Sequence, residues 1–189
     1  GSALSSGADA GTAMLATHLS AASAPKVWMA LAWIKFGKPS LVGAVTGTIA
    51  GLATITPAAG VAGPLGAVLL GAAASCICYL AVWLVKRVMG VDDALDVLGV
   101  HGVGGALGTL CVPAVALIGS GVGHLNHAPG EQFGVQALGV VIAGVFSAVA
   151  VLVVTNLADM TVGLRVDRDH ETQGVDFASH GETVYHMNR

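Results

Sequence analysis

The 189-residue sequence is 54% apolar and only 10% charged, and it contains 27 glycines. Soluble domains carry about 25% charged residues, so the composition indicates a membrane protein, and abundant glycine is typical of closely packed membrane helices. The net charge of −3 gives no electrostatic reason to expect a nucleic acid partner.

The first predicted span covers about residues 8–25 and ends at Pro25-Lys26. A helix needs about 20 apolar residues to cross a hydrocarbon core of about 30 Å. The next stretch, VWMALAWIKFGK (27–38), is too short to cross. Its two tryptophans and its lysines predict a short helix lying at the membrane interface.

Four further spans follow. No charged residue occurs from Pro39 to Val85, a run too long for one helix, and Thr56-Pro57 and Gly60 to Pro64 divide it. Two more apolar stretches occur after the charged cluster that follows Val85. The predicted spans are therefore about 40–56, 64–86, 96–118 and 133–160, which makes five in all.

Gly43, Gly47 and Gly51 recur at every fourth position of the second span. Small residues at this spacing let two helices approach closely. The sequence therefore predicts a helix-packing face here, whatever the function of the protein.

Basic residues follow alternate spans, whereas loops 57–63 and 119–132 contain no Lys or Arg. The positive-inside rule then places the basic loops and the C-terminus in the cytoplasm and the N-terminal end outside. The three clusters are Lys26, Lys35 and Lys38, then Lys86 and Arg87, then Arg165 and Arg168.

Two regions result: a membrane region, residues 1–163, and a polar cytoplasmic tail, residues 164–189, with too little apolar content for its own core. The sequence starts with apolar GSAL and no initiator Met, and it shows no signal peptide. We therefore expect residue 1 to lie inside a longer polypeptide.

His101 lies inside the fourth predicted span, in VLGVHGVGGALG. On an α-helix it would share one stripe with Val97, Gly104, Gly105 and Gly108, and the glycines would leave room beside the ring. An ionisable group at membrane depth is costly and usually faces a cavity or the bundle interior. Two interpretations remain open: a neutral core histidine bonded to a backbone carbonyl, and a functional residue.

Three carboxylates, Asp92, Asp93 and Asp96, come just before this span. The N–H groups and the dipole at a helix N-terminus favour carboxylates, so we expect these residues to cap the helix.

The segment DDALDVLGVHGVGGALG resembles the signature of the Amt/Mep/Rh ammonium transporters, on the Amt branch. So do GSALSSGADAGTAMLATHLSAA, AGLATITPAAG, ADMTVGLRV and GVDFASHGETVY, in the order of the family and over nearly the whole chain. The resemblance implies an all-α, polytopic membrane helix bundle. This chain would be half of an inverted-repeat eleven-helix fold, from the end of the sixth helix through the eleventh helix and the tail.

The resemblance also implies roles for single residues. Ser2 matches the serine that helps bind ammonium in the outer vestibule, and His101 matches the second of two pore histidines. Thr56 and Val97 match positions of the pore wall. In the family, ammonium is recruited outside and deprotonated, and then passes an apolar pore beside the histidine pair. The first half of that pore is not in this chain, so we expect the chain alone to be inactive.

For the full-length protein, the resemblance implies transport of ammonium or ammonia across the cell membrane for nitrogen utilisation, without a cofactor. It also implies that the PII signalling protein docks at the cytoplasmic face. Together with the glycine face of the second span, it indicates a homotrimer.

No nucleophile–base pair or metal-ligand set in the sequence points to an enzyme. The alternative is an ammonium sensor that signals through its tail. Sensors of the family carry a fused signalling domain or a long extension, and the short tail here favours transport.

The other histidines have weaker signals. His18 is expected at a packing or interface position. His124 and His127, in the loop GHLNH, could give two zinc ligands, but no third is near, which favours a solvated loop. His180 belongs to the tail motif and is expected to help dock the tail.

Overall fold

The protein was analysed as a computed structural model that describes residues 6–118, 125 and 127–182. These residues form helices, and no strand occurs among them, so the predicted all-α class is confirmed. The helices are α1 Ala8–Phe36, α2 Leu41–Ile55, α3 Pro64–Trp83, α4 Val103–Ala116, α5 Pro129–Thr161 and α6 Arg168–Gln173. π-helical turns cover Leu84–Val88, Val97–Gly102 and Asp176–His180.

Three helical segments of the described chain are long and apolar enough to cross a bilayer: Pro64–Val88, Val97–Ala116 and Pro129–Thr161. The apolar helix α2 is shorter, at 15 residues. Helix α1 is long but carries charges at Asp9, Lys26 and Lys35. The apolar helices agree with a membrane protein, whereas five spans with the limits given above stay a prediction.

Helix α1 differs from the prediction at Pro25. The sequence predicts a helix end at 25 and a separate interfacial helix over 27–38, but one helix of 29 residues continues to Phe36. It ends at Gly37, whose φ of 75° is the left-handed conformation that glycine adopts easily. At 1.5 Å per residue the helix is about 43 Å long, which exceeds a hydrocarbon core of about 30 Å. Its basic, tryptophan-containing end can therefore extend beyond the core without a break.

The predicted glycine face of α2 packs against α1 of the same chain. A Cβ atom added to Gly47 would lie 2.6 Å from Cβ of Trp28, and one added to Gly51 would lie 2.7 Å from Cβ of Ala24. The packing face is thus confirmed. Our inference that it contributes to a trimer interface is wrong, because α1 already covers it.

Serine hydroxyls hold α1, α2 and α3 together. The hydroxyl of Ser20 donates a hydrogen bond to the carbonyl oxygen of Gly51 at 2.9 Å, and that of Ser75 donates to the carbonyl oxygen of Ala24 at 2.5 Å. The Ser75 bond joins α3 to α1 directly before Pro25, which cannot donate a backbone hydrogen bond of its own. Such interhelical bonds help to associate helices in a bilayer, where the hydrophobic effect between helices is absent.

Interhelical contacts also fix the relative directions of the first three helices. Ser20 lies near Gly71 and Ala24 near Ser75, so α1 and α3 run in the same direction. Helix α2 is antiparallel to α1, because residues of α2 meet progressively earlier residues of α1. The C-terminal ends of α1 and α3 therefore share one end of the bundle. They carry the basic residues Lys35, Lys86 and Arg87.

The chain forms two compact units, residues 1–141 and 142–189. The second contains the later part of α5, then α6 and the π-helical turn Asp176–His180. No residue of its described tail, 164–182, is buried, and a guanidinium N–H of Arg165 donates to Oε1 of Glu171 at 2.8 Å. A tail without a core of its own is what the polar sequence predicts.

Candidate functional site

His101 lies in the π-turn Val97–Gly102, directly before α4. The turn starts after Asp96, whose φ of 57° falls in the left-handed region that residues other than glycine seldom adopt. A π-turn contains one residue more than an α-helical turn and occurs frequently at functional sites. The local backbone thus departs from a regular helix at the residue that the sequence singles out.

Asp93 caps the π-turn. Its Oδ1 accepts a hydrogen bond from the backbone N–H of Val97 at 2.8 Å, and its Oδ2 accepts one from Leu98 at 2.9 Å. The backbone N–H of Gly99 donates to the same Oδ2 at 3.4 Å. One carboxylate therefore satisfies three donors that begin the helix.

The other two carboxylates do not cap, which corrects the prediction for them. Nζ of Lys86, at the end of the helix before, lies 2.6 Å from Oδ1 of Asp96. The side chain of Asp92 forms no hydrogen bond or ion pair with any residue that the structure describes. Only one of the three can reach the free N–H groups, because the chain turns sharply at the left-handed Asp96.

The ring of His101 is exposed on the wall of a cavity of about 230 Å³, which we call the His101 cavity. Val97, also exposed, lies on the same wall. The cavity is lined by Thr46, Ile49, Leu95, Asp96, Val97, Val100 and His101. Sequence reasoning missed Thr46 and Ile49, because nothing in the pattern of α2 shows which helix will pass beside the π-turn.

The imidazole of His101 has no hydrogen-bond partner within the described parts of the chain. A core histidine bonded to a backbone carbonyl is therefore not what the structure has. A neutral imidazole offers one donor and one acceptor. The site can thus present both to a small polar molecule against mostly apolar walls.

Gly104 and Gly108 do not make room beside the ring, contrary to the prediction. Both are buried and face α2: a Cβ atom on Gly104 would lie 2.8 Å from Oγ1 of Thr54, and one on Gly108 would lie 1.8 Å from its carbonyl oxygen. His101 lies in the preceding π-turn and is exposed, so it does not share the buried face of these glycines. These glycines instead allow α4 to lie directly against α2.

Thr56 lies at the end of α2, away from the His101 cavity. Its hydroxyl donates to the carbonyl oxygen of Leu52 at 2.6 Å, and it does not line the cavity. Ser2, the predicted vestibule serine, lies outside the described residues. The structure therefore brings Val97 and Asp96 to His101 and leaves Thr56 apart.

Two of the other histidines, His18 and His127, make local contacts. Nδ1 of the exposed His18 donates to the carbonyl oxygen of Met14 at 3.0 Å, one turn earlier. Nδ1 of His127 lies 3.4 Å from Oε1 of Glu131. His124 lies outside the described residues. Within the described ranges, no three His, Cys, Asp or Glu side chains are grouped to hold a metal ion.

Sequence comparison finds one family over nearly the whole chain. The sequence model of the Ammonium Transporter Family matches residues 1–185. The chain is 42% identical, over 99% of its length, to the putative ammonium transporter of Methanothermobacter thermautotrophicus. It is 39% identical, over 99% of its length, to the ammonium transporter of Aquifex aeolicus.

Solved structures with the same fold include a protein described as a Sensor Amt Protein, with a TM-score of 0.82 and 28% identity over 92% of this chain. Mep2 of Saccharomyces cerevisiae gives a TM-score of 0.72 and 31% identity over 85% of this chain. These matches cover 43% and 39% of the solved chains, and 47% and 44% of the two transporters above. The chain therefore spans less than half the length of the relatives it matches.

Proposed function

The chain belongs to the ammonium transporter family, and from that premise we propose that the full-length protein carries ammonium or ammonia across a membrane. The observation that carries the proposal is the exposed ring of His101 on the wall of a mostly apolar cavity, without a hydrogen-bond partner among the described residues. A position of this kind contributes hydrogen bonds without a fixed charge.

The proposed mechanism follows from the cost of desolvation. Stripping water from ammonium in a narrow apolar passage is expensive, whereas ammonia is uncharged and needs only hydrogen bonds. The imidazole of His101 would accept a hydrogen bond from the permeant or donate one to it, together with the second histidine that the family resemblance implies. Val97 would keep the wall apolar beside the ring.

Two further residues have roles that rest on the family resemblance alone. Ser2 would help bind ammonium at the outer vestibule, where contact with aromatic rings adds about 1–2 kcal/mol. Thr56 would line the passage at the end of α2. It does not line the His101 cavity, so its role needs a separate test.

Reconstitution of the full-length protein in liposomes tests the proposal. With an outward ammonium gradient, the internal pH should change faster in protein-containing liposomes than in empty ones, or a larger current should flow. The sign and size of the current then separate passage of ammonia alone from passage of ammonia with a proton. Equal rates in the two kinds of liposome would exclude transport.

The runner-up is an ammonium sensor, since one protein of the same fold is described as a sensor. A sensor that does not conduct would bind ammonium and change the conformation of its tail without flux in the same liposomes. The relatives of higher sequence identity are named transporters, which favours transport.

We propose that the assembly is a homotrimer in the cell membrane with its C-terminus in the cytoplasm. Since the glycine face of α2 is covered by α1, the proposal rests on family resemblance. We expect the full-length protein at micromolar concentration in mild detergent to have a detergent-corrected mass of about three protomers. Analytical ultracentrifugation or light scattering measures it, and a monomer would contradict the trimer.

The tail is proposed as the regulatory segment, with PII docking beside it at the cytoplasmic face. None of its described residues is buried, so they are available for such contacts. Deleting residues 174–189 should alter flux or abolish control by PII, measured as liposome flux with and without added PII. The tail has no regulatory role if flux, PII binding and inhibition are all unchanged by the deletion.

A further inference from the structure

A second cavity, of about 210 Å³, lies at the shared end of α1 and α3. Its apolar floor contains Trp28 and Tyr79, whose rings meet edge to face with centroids 5.2 Å apart, and Val82. Lys35, Lys86 and Arg87 form its rim. We call this cavity the basic groove. It is separate from the His101 cavity, with which it shares no lining residue.

Two of the three cations at the rim lack a carboxylate partner. Nζ of Lys86 is paired with Asp96. Nζ of Lys35 instead lies 5.5 Å from the ring centroids of both Phe36 and Tyr79, and in the described chain neither Lys35 nor Arg87 forms an ion pair. The basic groove therefore has two positive charges that no described carboxylate neutralises.

The position of the groove selects the kind of ligand. Tryptophan and tyrosine are enriched at the level of the lipid headgroups, and Lys and Arg gather at the same level. The exposed Trp83 lines the groove, and the exposed Trp33 lies two residues before Lys35 in α1. An anion that enters here from the bilayer would have an apolar portion, because the floor of the groove is aromatic and aliphatic.

We propose that the basic groove binds the headgroup of an anionic phospholipid from the adjoining leaflet. Arg87 and Lys35 contact the phosphate, and guanidinium is the side chain best suited to bind it through two parallel hydrogen bonds. The glycerol and the first acyl carbons pack on Val82 and Trp83. The proposal requires that the chain be embedded in a membrane, and it does not depend on whether the protein conducts.

The acidic tail of this chain is the competing occupant. Its described part contains Asp167, Asp169 and Asp176, but its contacts there are local, such as the pair between Arg165 and Glu171. A peptide carboxylate would also leave the aromatic floor uncovered. An anionic lipid matches both the positive rim and the apolar floor of the basic groove, so we favour the lipid.

Native mass spectrometry of the delipidated full-length protein tests the proposal. The protein is titrated with phosphatidylglycerol and, separately, with phosphatidylcholine of the same acyl chains. We expect tighter binding of phosphatidylglycerol to the wild type and binding weaker by about tenfold or more to the double variant Lys35→Gln/Arg87→Gln, since each basic residue near a membrane surface contributes to attraction of anionic lipid.

The matched control is the double variant Lys26→Gln/Lys38→Gln. It removes the same charge, two cations, but neither residue lines the basic groove. It should bind phosphatidylglycerol like the wild type. Thermal unfolding without lipid should give the same midpoint for both double variants, which separates lost binding from lost folding.

Five results would overturn the proposal. Three concern the lipid titrations: wild-type affinity in the Lys35→Gln/Arg87→Gln variant, an equal loss in the control variant, and equal affinity of the wild type for the two lipids. The fourth is phosphatidylglycerol binding that millimolar inorganic phosphate abolishes, and the fifth is binding that occurs only after residues 174–189 are deleted. In those cases the groove holds a free anion or the tail.

Discussion

Replacing His101 with leucine in the full-length protein is expected to reduce ammonium-dependent flux by about tenfold or more, with the amount of folded protein unchanged. Leucine fills the site but offers neither donor nor acceptor to a desolvated permeant. A buried polar group left without a hydrogen bond costs about 1–3 kcal/mol, and about 1.4 kcal/mol corresponds to tenfold in a rate. Stopped-flow measurement on liposomes, normalised to folded protein, gives the ratio.

His18→Leu is the matched control for this prediction. His18 is also an exposed histidine in an apolar helix, but its Nδ1 is bonded to Met14 of the same helix and it does not line the His101 cavity. Its flux should stay near that of the wild type. Near-wild-type flux in the His101→Leu variant would remove His101 from the conduction path, and equal losses in both variants would show a general effect of losing a histidine.

His101→Glu should behave differently from His101→Leu. A carboxylate stabilises a cation at the same place, so some passage should remain and charged or larger species should be admitted. Currents carried by methylammonium, compared between the two variants, measure this difference. Indistinguishable currents would mean that the chemistry at this position does not select the permeant.

Gly108→Ala is expected to destabilise the helix bundle by about 3 kcal/mol or more, the upper part of the usual cost of overpacking. The added Cβ atom would lie 1.8 Å from the carbonyl oxygen of Thr54 and 3.0 Å from Cγ of Pro57. Neither can yield easily, since one is backbone and the other a ring, so α4 must move away from α2. Thermal unfolding in detergent and the yield of monodisperse protein report the change.

Gly105→Ala provides the same chemical change three positions earlier. No atom lies within 4 Å of a Cβ atom placed on Gly105, so this variant should fold like the wild type or slightly better, because alanine favours a helix by about 1 kcal/mol over glycine. Similar unfolding midpoints for the two variants would contradict the close approach of α4 to α2.

The sequence was sufficient to predict the helical class and the places where α2 and α3 are separated. Long runs without charge predict membrane helices, because a helix satisfies its own backbone hydrogen bonds in a bilayer. Pro57 and Pro64 mark where one helix ends and the next begins. The capping role of Asp93 was also predictable, because a carboxylate before an apolar helix has few other functions there.

Features that depend on neighbouring helices were not predictable. The helix break at Pro25 was expected from the chemistry of proline, but α1 continues, with Ser75 of α3 bonded to the adjacent Ala24. The glycine face of α2 was visible in the sequence, whereas its partner was not. The pairing of Lys86 with Asp96 joins the ends of two segments that the sequence separates by a polar connection.

The direction of the His101 ring depends on how many residues the π-turn before α4 contains. The π-turn Val97–Gly102 accommodates one residue more than an α-helical turn, and each residue of a helix corresponds to about 100° of rotation. Removing Gly102, which lies between His101 and α4, would re-aim the imidazole relative to α4 by about a quarter of a circle or more while keeping the side chain of every other residue. Under the proposed function, the number of residues between Asp96 and α4 therefore matters as much as the identity of the histidine. For an engineered variant, a single deletion here would be a more drastic change than many substitutions.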